Sequence, residues 1–154
     1  MLIRLGEFLR ISLEESQHKL IPLQQELDFV KKYLEIEQFR DKKLKVAISV
    51  KESHQSLKVP SFILQPLVEN AIKHGISKAR NAKHIEIGSE FSGGILKLYV
   101  YNEGPALTSE SERKGGIGLT NTKLRLQKLY GKQSGLALLS VNDGVMVEVT
   151  MPTE

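Results

Sequence analysis

Residues 64–76, LQPLVENAIKHGI, set two different patterns on one short segment. Leu64, Leu67, Val68, Ala71 and Ile72 recur at three- and four-residue spacing, the period of a helix with one buried face. The other face gathers Glu69, Asn70, Lys73 and His74 within two turns. Asn70 and His74 are four residues apart with Lys73 between them, so all three project from adjacent parts of one surface. An amide oxygen can ligate a hard cation such as Mg2+, which keeps much of its water and binds substrate phosphates. A lysine and a histidine beside it would bring positive charge and donors to those phosphates. The same residues also read as an ordinary Glu69–Lys73 surface pair, with His74 a helix C-terminal charge beside a Gly75 cap. Taken alone, the segment leaves both readings open.

Working outward, Pro60 opens this segment, Ser61 is a candidate cap, and Pro66 predicts an irregular first turn. Upstream, KLKVAISV (43–50) alternates as a half-buried strand does. Before it, LQQELDFVKKYLEIEQFR (23–40) predicts a helix with Leu23, Leu27, Val30 and Leu34 inward, separated by Pro22 from an amphipathic helix over 1–17. Downstream, HIEIGSEF and GILKLYVYN form a hairpin about Ser92-Gly93-Gly94. A polar stretch without periodicity (103–116) follows, of the length that functional lids have. IGLTNTKLRLQKLYG is a helix closed by Gly131, and GLALLSV and VMVEVTM pair about Asn142-Asp143-Gly144. Strands in adjacent pairs with helices between them predict an α/β two-layer sandwich, a mixed and largely antiparallel sheet with helices on one face. No succession of βαβ units supports a Rossmann or TIM arrangement.

The bulk properties narrow the function classes. The 154 residues suit one domain with a sizeable core. No run approaches a transmembrane span, and the N-terminus lacks the apolar core of a signal peptide. With no cysteine, disulfides and thiolate-ligated metals are excluded. A net charge of +4 without a dense basic stripe argues against nucleic acid as partner.

Two further constellations carry chemistry. In KGGIGLTN (114–121) the glycines at 115, 116 and 118 directly precede a helix, where backbone N–H groups at its positive end can receive phosphate oxygens. A flexible loop end reads the same way, and the GK[ST] ending of a P-loop is missing. In YVYNEGPA (99–106) a strand runs into Asn102-Glu103-Gly104-Pro105, placing a polar side chain at a sheet edge where it could read a base; a plain Asx turn is the alternative.

VPSFILQPLVENAIKHGI closely resembles the N-box of LytS/YehU-type sensor histidine kinases, members of the GHKL ATP-binding superfamily. The resemblance extends through LQQELDFVKKYLEIEQFR and GGIGLTNTKLRLQKLYG, over nearly the whole chain. It implies a Bergerat fold, with residues 21–154 a catalytic and ATP-binding domain and 1–20 the end of the last dimerisation helix plus linker. It implies Asn70 as the Mg2+ ligand, and Lys73 and His74 beside the phosphates of ATP. Glu69 is implied to orient or deprotonate the phosphoacceptor, although it points roughly a hundred degrees away from Asn70 around the helix. On the adenine side stand Asn102 and Gly104. Residues 105–114 match the lid, and Gly116, Ile117, Gly118 and Leu119 the second glycine motif. Asn121 and Arg125 follow on the next helix, Arg125 as a phosphate or interdomain contact.

Four departures from the family pattern bear on activity. Asn102 replaces an aspartate that accepts from the adenine amino group, Ala106 a lid glycine, and Val145 a threonine near the adenine edge. Each lost hydrogen bond costs about 0.5–1.5 kcal/mol. None of His18, His54, His74 and His84 stands in the family's phosphoacceptor motif. The resemblance thus implies one part of a bacterial inner-membrane sensor's cytoplasmic region. In the full-length protein, a homodimer anchored through segments outside these residues, it would phosphorylate its own dimerisation domain for relay to a response regulator. The competing expectations are a degenerate GHKL interaction module and, last, a stand-alone GHKL ATPase or anti-sigma serine kinase.

Overall fold

The computed structural model describes residues 19–75, 83–104 and 116–153. The predicted amphipathic segment 1–17, most of the lid stretch with Ala106, and Gly115 lie outside them. A short strand β1 (Leu20–Pro22) leads into helix α1 (Leu23–Arg40), then β2 (Leu44–Ser49) and β3 (Lys58–Pro60). Helix α2 (Gln65–His74) follows, then β4 (Lys83–Ser92) and β5 (Ile95–Glu103). Helix α3 (Ile117–Tyr130) and the hairpin β6 (Gly135–Val141) and β7 (Gly144–Pro152) complete the order.

Five strands form one sheet in the order β2-β4-β5-β7-β6, parallel between β2 and β4 and antiparallel elsewhere. Alternation along the strands gives the sheet its two faces. Leu96, Leu98 and Val100 of β5 and Val145, Val147, Val149 and Met151 of β7 are buried, while their neighbours are half-exposed. The buried side packs against the helices, where Leu23, Leu27, Val30 and Leu34 of α1 and Leu67, Val68 and Ala71 of α2 complete the core. Both helices bury the stripe their spacing predicts; Ile72, at the rim, is half-buried. On the other side of the sheet Gly88 of β4 faces Tyr99 of β5, and its missing Cβ makes room for the Tyr99 ring.

Both predicted hairpins form with two-residue turns. Gly93 and Gly94 both adopt positive φ (59° and 76°), which glycine takes without steric cost. Asn142 does so at 41°, where asparagine is among the tolerated residues. The pairing of β1 with β3 was not visible in the pattern, because three residues with a proline at one end are too few to show alternation. That ribbon also meets the C-terminal residues: Pro22 pairs with Lys58, and Thr153 Oγ1 donates to the Lys58 carbonyl at 2.7 Å.

Candidate functional site

Helix α2 begins at Gln65, with Pro66 in its first turn, where a missing N–H breaks no helical hydrogen bond. Ser61 is therefore not its cap: the capping position is Leu64, which supplies no side-chain acceptor. Instead a carboxylate arrives from another helix. Glu26 of α1, only 4% exposed, accepts the Phe62 N–H at 2.5 Å through Oε1 and the Leu64 N–H at 3.2 Å through Oε2. Burial pushes the Glu26 carboxyl above its ordinary pKa; these N–H groups and the charge of Arg125 pull the other way. Phe62 itself has φ of 61°, a conformation that costs a non-glycine residue about 1–3 kcal/mol and survives only where its surroundings enforce it. Its ring meets Phe29 of α1 edge-on, with centroids 5.8 Å apart.

Along α2, Glu69 and Asn70 are half-exposed and Lys73 and His74 exposed, so the predicted polar face is real. Glu69 accepts from Gln65 Nε2 at 2.9 Å, one turn back. It lies near Tyr33 of α1, whose phenol is pushed up by burial and further by the charges of Glu37 and Glu69. Asn70 makes no side-chain hydrogen bond among the described residues, so its amide oxygen is available to a ligand.

The helix ends at Gly75, whose N–H donates to the Ala71 carbonyl at 3.0 Å. A Cβ here would overlap the Asn102 carboxamide and come within 2.8 Å of the Ala71 oxygen. Asn102 is thus pressed against the end of α2, 2% exposed, with Nδ2 donating to the Glu103 carbonyl at 3.3 Å. It stands at the end of the sheet's central strand, flanked by β4 and β7, and not at the sheet edge that the sequence suggested. Gly104 closes the other side: a Cβ on it would sit 3.3 Å from the Gly75 carbonyl and 3.5 Å from Asn102 Nδ2. Val145 pairs directly with Asn102 across the strands, so two of the departures from the family pattern are neighbours.

Gly116 caps α3 in extended conformation, and Gly118 lies in the first turn. Among the described residues nothing lies within 4 Å of a Cβ placed on either glycine. The first N–H groups of α3 have no partner within the helix and sit at its positive end. Ile117 is 82% exposed, Leu119 is buried and Asn121 is exposed. Arg125 is half-buried, three residues before Lys128, the last basic residue of α3. Its Nη2 donates to the Ser61 carbonyl at 2.6 Å, and burial lowers its pKa against the raising charge of Glu26.

The donor set fits a Mg-nucleotide. An available amide oxygen on Asn70, the Lys73 ammonium, the His74 imidazole and uncrowded glycines opening α3 suit a hard cation that shares its coordination sphere with phosphates. Among the described residues no group of three or more carboxylate, histidine or cysteine side chains could hold a metal on its own. Glu26 went unnoticed in the sequence, although a signal was present. It lies on the face of Leu23, Leu27 and Val30, where a carboxylate must find a partner.

A family profile described as "Histidine kinase" matches residues 1–44. The sensor protein LytS of Bacillus anthracis is 32% identical over 99% of this chain and 28% of its own length. The sensor histidine kinase/phosphatase LytS of Staphylococcus aureus strain MRSA252 is 30% identical over 100% and 29%. The chain therefore spans under a third of these relatives. Among solved structures, the catalytic domain of histidine kinase ThkA superimposes with a TM-score of 0.66 at 17% identity, covering 87% of this chain and 94% of that one. The same kinase in complex with the response regulator protein TrrA gives 0.65, with 98% of this chain and 48% of that chain covered. At such identity these superpositions establish the fold. No helix among the described residues is long and apolar enough to cross a membrane.

Proposed function

Since the chain belongs to the LytS-type sensor histidine kinases, matching them over 99–100% of its own length, we propose that residues 21–154 are the ATP-binding and catalytic domain of such a kinase. Residues 1–20 are then the end of the helix that precedes it. In the full-length protein, a homodimer, the domain directs the γ-phosphoryl group of ATP to a histidine of the dimerisation domain, from which it passes to a response regulator. The observation that carries this reading is the polar face of half-exposed Asn70 and exposed Lys73 and His74 on α2, in a Bergerat fold whose α3 opens on two uncrowded glycines.

Bound Mg2+ would neutralise phosphate charge and fix the geometry of the oxygens in the transfer. Asn70 supplies its amide oxygen to that ion. Lys73 and His74 stand beside the phosphates, and the N–H groups of Gly116, Ile117, Gly118 and Leu119 receive phosphate oxygens at the positive end of α3. Asn121 lies on the exposed side of the next turn of that helix. Asn102 and Gly104 form the adenine end. Glu69, on the α1 side of α2, orients the phosphoacceptor. Catalysis of this kind is positioning and charge neutralisation.

Titration calorimetry of Mg-ATP and Mg-ADP into the chain, with Asn70→Ala as control, tests the reading. Binding that needs the metal and disappears in the variant is expected, as is loss of phosphotransfer when Asn70→Ala is placed in the full-length kinase. Absence of binding at millimolar nucleotide would favour the other reading, a GHKL interaction module without nucleotide. The adjacency of Asn102 and Val145, both buried, motivates that alternative.

A further inference from the structure

The four residues that lead into α2 are held from three directions. The Ser61 N–H donates to the Lys19 carbonyl at 2.9 Å, tying the turn to the chain that enters the domain. Glu26 of α1 accepts the N–H groups of Phe62 and Leu64. Arg125 of α3 donates to the carbonyl of Ser61. Within this hold Phe62 keeps a left-handed backbone that it would not adopt unaided, with its ring against Phe29. A carboxylate and a guanidinium from two different helices thus grip opposite polarities of one short turn.

We propose that Glu26 and Arg125 are positioning residues that fix the start of α2 and thereby the location of Asn70. This rests on the Mg-nucleotide reading of Asn70. Asn70 follows the gripped turn by less than two helical turns, so a shift or tilt at Phe62–Leu64 moves its amide oxygen with little attenuation. Metal and phosphate geometry tolerates displacements of only about 0.5 Å. The far end of α2 is already fixed by Asn102 against Gly75, so its start is the end left for this grip to set. Arg125 acts on the nucleotide through the turn that it holds.

The test compares Glu26→Gln, Arg125→Lys and Asn70→Ala in the whole chain. Melting temperature and ATP affinity are measured for each, with Mg2+ and with EDTA. Glu26→Gln keeps the size of the side chain but presents an NH2 to one of the two N–H donors. It is expected to lose about ten- to a hundredfold of the Mg-dependent affinity and little of the affinity in EDTA. Combined with Asn70→Ala it should cost nothing further. Equal losses with and without metal, or losses that multiply in the double variant, would show a residue that only supports the fold and would overturn the proposal. Glu26→Asp, which keeps the charge, should recover part of the metal-dependent binding. If Glu26→Gln does not fold, Arg125→Lys carries the same comparison. Should the unaltered chain bind no nucleotide, the Mg-nucleotide reading fails, and amide hydrogen exchange decides the grip by itself. Faster exchange over residues 65–70 in Glu26→Gln supports it; unchanged exchange there overturns it.

Discussion

Two groups of glycines in this molecule look alike in sequence and differ in what surrounds them. Gly75, Gly104 and Gly144 converge on Asn102: protein atoms fill the space that side chains on Gly75 and Gly144 would need, and leave a Cβ on Gly104 only 3.3 Å from the Gly75 carbonyl. Gly116 and Gly118, opening α3, face nothing within 4 Å among the described residues. The first group serves the folded chain itself, allowing α2, β5 and β7 to approach closely. The second group serves no packing visible among those residues, which is what a backbone surface for phosphate oxygens requires. A glycine motif therefore means one thing where a Cβ would collide and another where it would be harmless.

That contrast can be broken by substitution. Gly144→Ala should have the largest effect, because the added methyl overlaps the Asn102 carbonyl and comes within 2.7 Å of the Tyr101 ring. Backbone cannot swing aside, so a loss of about 3 kcal/mol is expected, read as a fall in Tm of roughly 10 °C. Gly75→Ala meets the Asn102 side chain and the Ala71 carbonyl, and about 1–3 kcal/mol in denaturant unfolding is expected. Gly118→Ala should behave in the opposite way, raising stability by about 0.5–1 kcal/mol through helix propensity. Its ATP affinity should nevertheless fall roughly tenfold, equivalent to ~1.4 kcal/mol. A Gly118→Ala variant that melts earlier and binds normally would merge the two groups into one.

The smallest effect concerns pH, outside both groups. Asp41, just after α1, takes an ion-paired hydrogen bond from Lys83 at the start of β4, and with the Lys43 N–H this holds its carboxyl below the ordinary pKa. A depressed pKa contributes stability that is present above the usual carboxylate range and lost as pH falls through the folded-state value. Lys83→Met should flatten that part of a Tm profile taken between roughly pH 5 and pH 2. The difference will be slight, because a pair only partly buried is still screened by water and salt.

Much of this architecture could be read from residue spacing. The stripe Leu23, Leu27, Val30, Leu34 and the alternation of β5 and β7 follow directly from periods of 3.6 and 2, and both tight turns declare themselves by glycine or asparagine. The parallel contact of β2 with β4 was hidden, since it joins strands separated by β3 and α2. Of the candidate site, the polar face of α2 was legible because Asn70, Lys73 and His74 are local to one another. Enclosure of Asn102 was not, because it depends on residues 75, 104 and 144 meeting in space. Glu26 and its turn were obscured for the same reason, with partners 36 and 38 residues away.

Lys58 has a mechanical consequence. Pro22, near the first described residue, pairs with it, and Thr153, the last, hydrogen-bonds to its carbonyl. The described polypeptide therefore enters and leaves at the same corner. A load applied between those two points is met by the three-residue ribbon, by the Thr153–Lys58 hydrogen bond and by the end of β7, where the Thr153 N–H donates to the Gly94 carbonyl at 2.9 Å.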